Sequence, residues 1–227
     1  MHLPDGLIPA PICLGGYGLT GLTTWLCLRR IDRHPDPSRG IARAALLTAA
    51  FFAASSLRIP IPPASVHLVL NGLLGVMLGA FAFPAVLVGL TLQALLFGHG
   101  GMTTLGVNAV LMGWPALVAG AIFQRRLVLR PWLGDRGAAL VASGLAGGVA
   151  LGLSTAIFFV IALGTITPDL NEQAERAALL GLAIAHGPVI LLEGLFTAAV
   201  VGFLQRVNPE LLEGLGGPPR SPIQDCP

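Results

Sequence analysis

Seven long apolar stretches, almost free of charge, decide which solvent this chain folds in. They run from Ile12 to Leu28, Ile41 to Leu57, Leu68 to Phe83, Ala85 to Phe97, Leu105 to Phe123, Ala138 to Leu163 and Ala177 to Leu204. A membrane-spanning helix needs about 20 mostly apolar residues, and most of these stretches approach or exceed that length. Charged residues make up 11% of the chain and apolar ones 54%, where a soluble domain carries about 25% charged residues. The mean hydropathy of +0.80 agrees. No soluble fold of this size has so little polar surface to cover itself, so the expected fold class is all-α: a polytopic membrane helix bundle with about seven transmembrane helices. The third and fourth stretches, about 24 Å and 20 Å of helix, are short against a hydrocarbon core of about 30 Å. They read as two short spans or one kinked pair, with the break at Pro84. Short segments interrupted by Gly or Pro mark binding sites in transporters.

The connections set the orientation. All thirteen basic residues are Arg. With the N-terminus outside and seven crossings, Arg29, Arg30, Arg33, Arg39, Arg43, Arg125, Arg126, Arg130, Arg136, Arg206 and Arg220 face the cytoplasm. Only Arg58 and Arg176 face outward. Eleven against two is a strong positive-inside bias, so the expectation is N-out and C-in. The N-terminal Met-His-Leu-Pro-Asp-Gly lacks the basic region of a cleavable signal peptide, which puts the mature start at Met1. Residues 1–207 read as one membrane domain and 208–227, rich in Gly and Pro, as a flexible cytoplasmic tail. Cys13, Cys27 and Cys226 form no Cys-x-x-Cys pair and predict neither a disulfide nor a zinc site. The net charge of +2 gives no sign of nucleic-acid binding. Gly72, Gly75 and Gly79, and Gly144, Gly148 and Gly152, recur at spacings that let helices approach closely, within the bundle or against another membrane subunit.

Four of the five histidines, His2, His67, His99 and His186, fall on the outer side of this topology; His34 lies in a cytoplasmic loop. A His in second place can chelate a divalent metal through the terminal amine, its own backbone amide and its imidazole. The amide must lose its proton, which demands a strongly polarising ion. Three fused in-plane donors leave one equatorial place, which a second imidazole such as His67 can fill. Square-planar nitrogen ligation suits Cu(II) or Ni(II), with Co(II) next in the Irving–Williams order, whereas zinc prefers a tetrahedron. His2 alone is equally compatible with a solvated terminal residue, and His67 with a histidine capping a helix.

Three motifs in order carry a resemblance. They are Met1-His2-Leu3-Pro4-Asp5-Gly6, the run His67-Leu68-Val69-Leu70-Asn71-Gly72-Leu73-Leu74-Gly75, and Phe97-Gly98-His99-Gly100-Gly101-Met102-Thr103-Thr104-Leu105-Gly106-Val107-Asn108. Together they resemble the CbiM/NikM family, the substrate-capture membrane subunits of energy-coupling-factor transporters for cobalt and nickel, across roughly residues 1 to 205. The resemblance implies that the N-terminus folds back into the bundle and that Met1, His2 and His67 hold a transported Co2+ or Ni2+, with no permanent cofactor. Ligating histidines pass their other ring N–H to a neighbouring acceptor; Asp5, Ser65, Asn71, His99, Thr103 and Asn108 are the candidates for that surrounding layer. The implied partners are a CbiQ-like transmembrane coupling subunit, a CbiO-like ATPase and a small CbiN-like membrane protein, in a bacterial cytoplasmic (inner) membrane. The chain has no phosphate loop of its own and is expected not to be an enzyme. Cobalt, and with it cobalamin supply, is the favoured cargo over nickel.

His186 and Glu193 lie seven residues apart on the last stretch. Ionisable groups inside a membrane mark function by default, yet a structural role for Glu193, with a helix partner or Arg43, fits better than metal contact. Pro188 is expected to kink that helix. Two other classes compete. An intramembrane metalloenzyme using His2, His67, His99 and His186 lacks a His-Glu-x-x-His helix and paired carboxylates. A vitamin-binding subunit calls for an aromatic, neutral-polar pocket, and here only Trp25, Trp114, Trp132 and Tyr17 stand beside ten Phe.

Overall fold

The computed structural model describes residues 2–33, 37–56, 59–61, 64–66, 68–165, 172–209 and 212. Among the described residues seven α-helices account for most of the chain: α1 (Ala10–Asp32), α2 (Pro37–Ser56), α3 (Asn71–Leu78), α4 (Ala82–Phe97), α5 (Leu105–Gln124), α6 (Arg126–Gly164) and α7 (Glu172–Val207). Between α2 and α3 sits a small antiparallel hairpin, β1 (Ile59–Ile61) with β2 (Ala64–Val66), in which Pro60 faces Ser65. Among the described residues, four stretches are long and apolar enough to cross a membrane: 71–97, 105–124, 126–164 and 179–207. In α2, 40–56 is a shorter apolar helix. Although α1 has 23 residues, its apolar character is diluted by Gly15, Gly16, Gly18, Gly21, Thr20, Thr23 and Thr24.

Helix α5 is the axis of the bundle. Thirteen of its twenty residues are buried, because it packs against α1, α3, α4 and α6, while α7 lies against α6. Missing side chains make the contacts close. A Cβ on Gly106 would stand 2.6 Å from the Tyr17 nitrogen, and one on Gly72 would stand 2.6 Å from the Gly147 Cα. One on Gly194 would stand 2.8 Å from the Gly144 carbonyl. The glycines at 72, 75 and 144 thus serve packing within the bundle. Leu180, Ile184, Leu191, Leu192, Leu195 and Phe203 on α7 are exposed, the side-chain chemistry of a face turned to lipid.

Two boundaries differ from the sequence expectation. The break in 68–97 falls not at Pro84 but at a 3-10 turn over Gly79–Phe81, where Gly79 has φ 54°. Pro84 lies in the first turn of α4, where its missing N–H costs nothing, since the first N–H groups of a helix lack intrahelical acceptors anyway. The connection before the sixth stretch is itself helical. α6 begins at Arg126 and turns at Gly134 (φ 67°, ψ 172°) before its long apolar run. Pro188 lies inside α7, which continues on both sides of it.

Candidate functional site

The chain enters through residues 2–9 and folds back against the loop between α4 and α5. Leu3 is completely buried, and its main chain is held at both polar atoms. Its N–H donates to Asn108 Oδ1 at 2.9 Å, and its carbonyl accepts from Asn108 Nδ2 at 3.1 Å and from the Thr104 hydroxyl at 2.7 Å. Asn108 sits in the first turn of α5 and is 1% exposed, so the grip is built on the central helix of the bundle.

Two residues on, Asp5 serves as an acceptor for the start of that helix. Its carboxylate takes the Thr103 hydroxyl at 2.6 Å and the N–H groups of Met102, Thr103 and Thr104 at 3.1, 3.0 and 3.3 Å. A carboxylate at a helix N-terminus also meets the positive end of the helix dipole. The Thr103 hydroxyl, followed by the three N–H groups, holds the Asp5 carboxyl below the ordinary carboxylate range, with partial desolvation opposing. Gly101 makes this possible, since a Cβ there would fall inside the Asp5 carboxylate. Gly100, at φ 83°, passes the loop around His2; a Cβ on it would stand 3.0 Å from Asn108 Nδ2 and 3.6 Å from His2 Cδ2.

His2 is half-buried in this enclosure. Its Nε2 lies 3.0 Å from Gln93 Oε1. The His99 ring centre is 6.3 Å away, tilted by 31°, and His99 in turn packs against Phe97. Gln93, fully buried near the end of α4, donates through Nε2 to the Ser55 hydroxyl. Ser55 donates to the carbonyl of Phe51 on α2. The His99 N–H closes onto the Gln93 carbonyl at 3.2 Å.

Asp5, His99, Thr103 and Asn108 therefore gather around residues 2 and 3. Met1 and His67 lie outside the described residues, as does the side chain of Ser65. Asn71 is placed elsewhere. Its Nδ2 donates to Ser154 Oγ at 2.8 Å and to the Met112 carbonyl at 3.3 Å, tying α3 to α6 and α5. Glu193 is completely buried, and its carboxylate accepts from the N–H groups of Val69 and Leu70, the latter at 2.9 Å. Leu70 adopts φ 55°, the left-handed region, so Glu193 fixes an unusual backbone turn at the head of α3. This is the structural role expected of it, with backbone donors as its partners. His186 Nδ1 engages the Leu182 carbonyl at 2.7 Å on its own helix. The sequence reading missed Gln93. The available signal was a lone amide in the 85–97 stretch, which is apolar but for Thr91.

Residues 2–211 match the CbiM family model, described as the cobalt uptake substrate-specific transmembrane region. The chain is 30% identical to the cobalt transport protein CbiM of Sorangium cellulosum over 95% of this chain and 96% of that protein. It is 31% identical to the fused nickel transport protein NikMN of Rhodobacter capsulatus, over 93% of this chain and 64% of that longer protein. Its fold matches a crystal structure of a transition metal transporter with a TM-score of 0.70, over 94% of this chain and 97% of that one. At 22% identity this is a likeness of fold.

Proposed function

The chain belongs to the CbiM family of membrane components for cobalt and nickel transport, and from that premise we propose that it captures Co2+ or Ni2+ through a clamp of four nitrogens. The donors are the Met1 amine, the His2 amide and imidazole, and the His67 imidazole. They form a planar set that suits Ni(II) and its neighbours in the Irving–Williams order and disfavours zinc. Asp5, Ser65, His99, Thr103 and Asn108 make up the surrounding layer, while Asn71 ties α3 to α5 and α6.

The observation that carries the reading is the burial and double bonding of Leu3. A flexible terminus binds metal weakly because its ordering opposes binding. Here residues 2 and 3 are ordered by the fold itself, so the donors of residue 2 are pre-positioned.

The membrane domain spans residues 1–207 and the tail 208–227, with the N-terminus outside, the C-terminus inside and about seven crossings in a bacterial inner membrane. The protein acts as the capture subunit of an energy-coupling-factor importer. A CbiQ-like subunit couples it to a CbiO-like ATPase, and a CbiN-like protein assists. The fused NikMN relative supports the last of these. Cobalt, destined for cobalamin synthesis, is the first cargo to test.

The test compares purified full-length protein with a variant carrying one residue added before Met1. The native chain is expected to hold about one Co2+ or Ni2+ and to prefer both over zinc, and the extended chain to hold none. Equal metal content in the two chains overturns the clamp.

A further inference from the structure

We propose that Gln93 is a positioning residue for metal capture: its side-chain oxygen holds the His2 imidazole with its proton on Nε2, leaving the Nδ1 lone pair for the ion. The inference rests on the N-terminal clamp. A metal bound to the His2 amide nitrogen closes a six-membered ring through Cα, Cβ and Cγ to Nδ1. Nε2 points away from that ring and cannot reach the same ion. Capture therefore needs one tautomer of neutral imidazole, and the group facing Nε2 selects it.

That group is Gln93 Oε1, 3.0 Å from His2 Nε2. The orientation of the Gln93 amide is set from its far side. The Ser55 hydroxyl has a single proton and donates it to the Phe51 carbonyl one turn back in α2. Toward Gln93 it is consequently an acceptor, and it takes the amide NH2. The amide oxygen is left facing His2, so His2 Nε2 is the donor. Gln93 is fully buried and Ser55 is 3% exposed. Turning the amide over would set its oxygen against the Ser55 oxygen, acceptor against acceptor, because the Ser55 proton is held by Phe51; both residues are buried, and such a cost keeps buried amides in one orientation. The relay starts at a main-chain carbonyl of α2, crosses α4 and ends on a terminal residue, so two helices fix the ring. The same Gln93 holds the His99 N–H through its carbonyl, tying the ring's acceptor to the loop that wraps His2.

The experiment uses the full-length protein in detergent with nitrogen-15 histidine, the His2 signals being assigned by their loss in His2→Asn. Metal-free wild type is expected to show His2 as the single Nε2–H tautomer. Gln93→Leu is expected to show a mixture of tautomers and to bind Co2+ about 10–100-fold more weakly. At saturating metal its visible absorption bands should match wild type, because the four nitrogen donors are unchanged. Gln93→Glu, which keeps an acceptor facing His2 Nε2, should restore most of the affinity. If Gln93→Leu does not fold, Gln93→Asn, which withdraws the amide by one methylene, carries the same expectation. A single Nε2–H tautomer with wild-type affinity in the Leu or Asn variant overturns the proposal. So does a shifted absorption band, which would make Gln93 a ligand. If the chain extended before Met1 keeps its metal, the clamp fails, while the tautomer of the metal-free protein still decides the role of Gln93.

Discussion

Asn108 grips the main chain of Leu3 at both of its polar atoms, accepting from the N–H at 2.9 Å and donating to the carbonyl at 3.1 Å. One side-chain amide thus does what a neighbouring β-strand would do for a single residue. The two partners are 105 positions apart, and the bond between them fixes how deep the terminus sits. Because Leu3 is also fully buried, His2 beside it has little freedom to drift.

Asn108→Asp keeps an acceptor for the Leu3 N–H and leaves the Leu3 carbonyl with the Thr104 hydroxyl; Asn108→Leu also strands the buried Leu3 N–H. An unsatisfied buried group costs about 1–3 kcal/mol, and about 1.4 kcal/mol is tenfold in binding. Cobalt affinity, measured by calorimetric titration in detergent, is expected to fall about tenfold in Asn108→Leu and less in Asn108→Asp. Equal affinities in wild type and Asn108→Leu would show that the grip does not position the metal donors.

The Asp5 carboxyl is held below its ordinary value by the Thr103 hydroxyl and the N–H groups of residues 102–104. A depressed acid stabilises the folded state above its unfolded pKa, about 3.9, and that stabilisation is lost as pH falls through the lower folded value. The contribution of Asp5 is therefore constant between about pH 7 and pH 5. Metal loss in that window comes instead from amine, amide and imidazole donors taking up protons. Release curves of wild type and Asp5→Asn should run parallel there, with Asp5→Asn weaker throughout. Curves that converge toward pH 5 would mean that Asp5 itself titrates in this range.

Glu193 supplies the acceptor for two buried N–H groups that follow His67 by two and three residues. Glu193→Leu leaves both unsatisfied, at about 1–3 kcal/mol each, and is expected to lower the melting temperature and the metal affinity together. Glu193→Gln keeps one oxygen for both donors and should be the milder change. Thermal unfolding followed by metal titration of the two variants gives the order. A Glu193→Leu protein with wild-type affinity would separate α7 from the positioning of that segment.

Much of this was legible in the residues. The apolar stretches give the helices; in the structure His99, Thr103 and Asn108 of the third motif lie against residues 2–5 of the first. The break at Gly79 rather than Pro84 was not legible, because a proline ends a helix only where it removes a needed bond, and in a first turn it removes none. Asn71 follows His67 by four residues and so joined the candidate layer, but its side chain turns into the α3–α5–α6 contact. Gln93 went unnoticed because nothing in its neighbours marks it; its partners, His2 and Ser55, are 91 and 38 positions away.

By itself, the sequence determined the solvent, the helical class and the side chains carried by the N-terminal segment, since these follow from local composition. Only the tertiary structure decided where that terminus sits, which amide faces His2 and what Glu193 holds. Hydrogen bonds across 38 to 124 positions depend on how helices cross, and the crossings are set by the glycine contacts of α3, α5, α6 and α7 taken together.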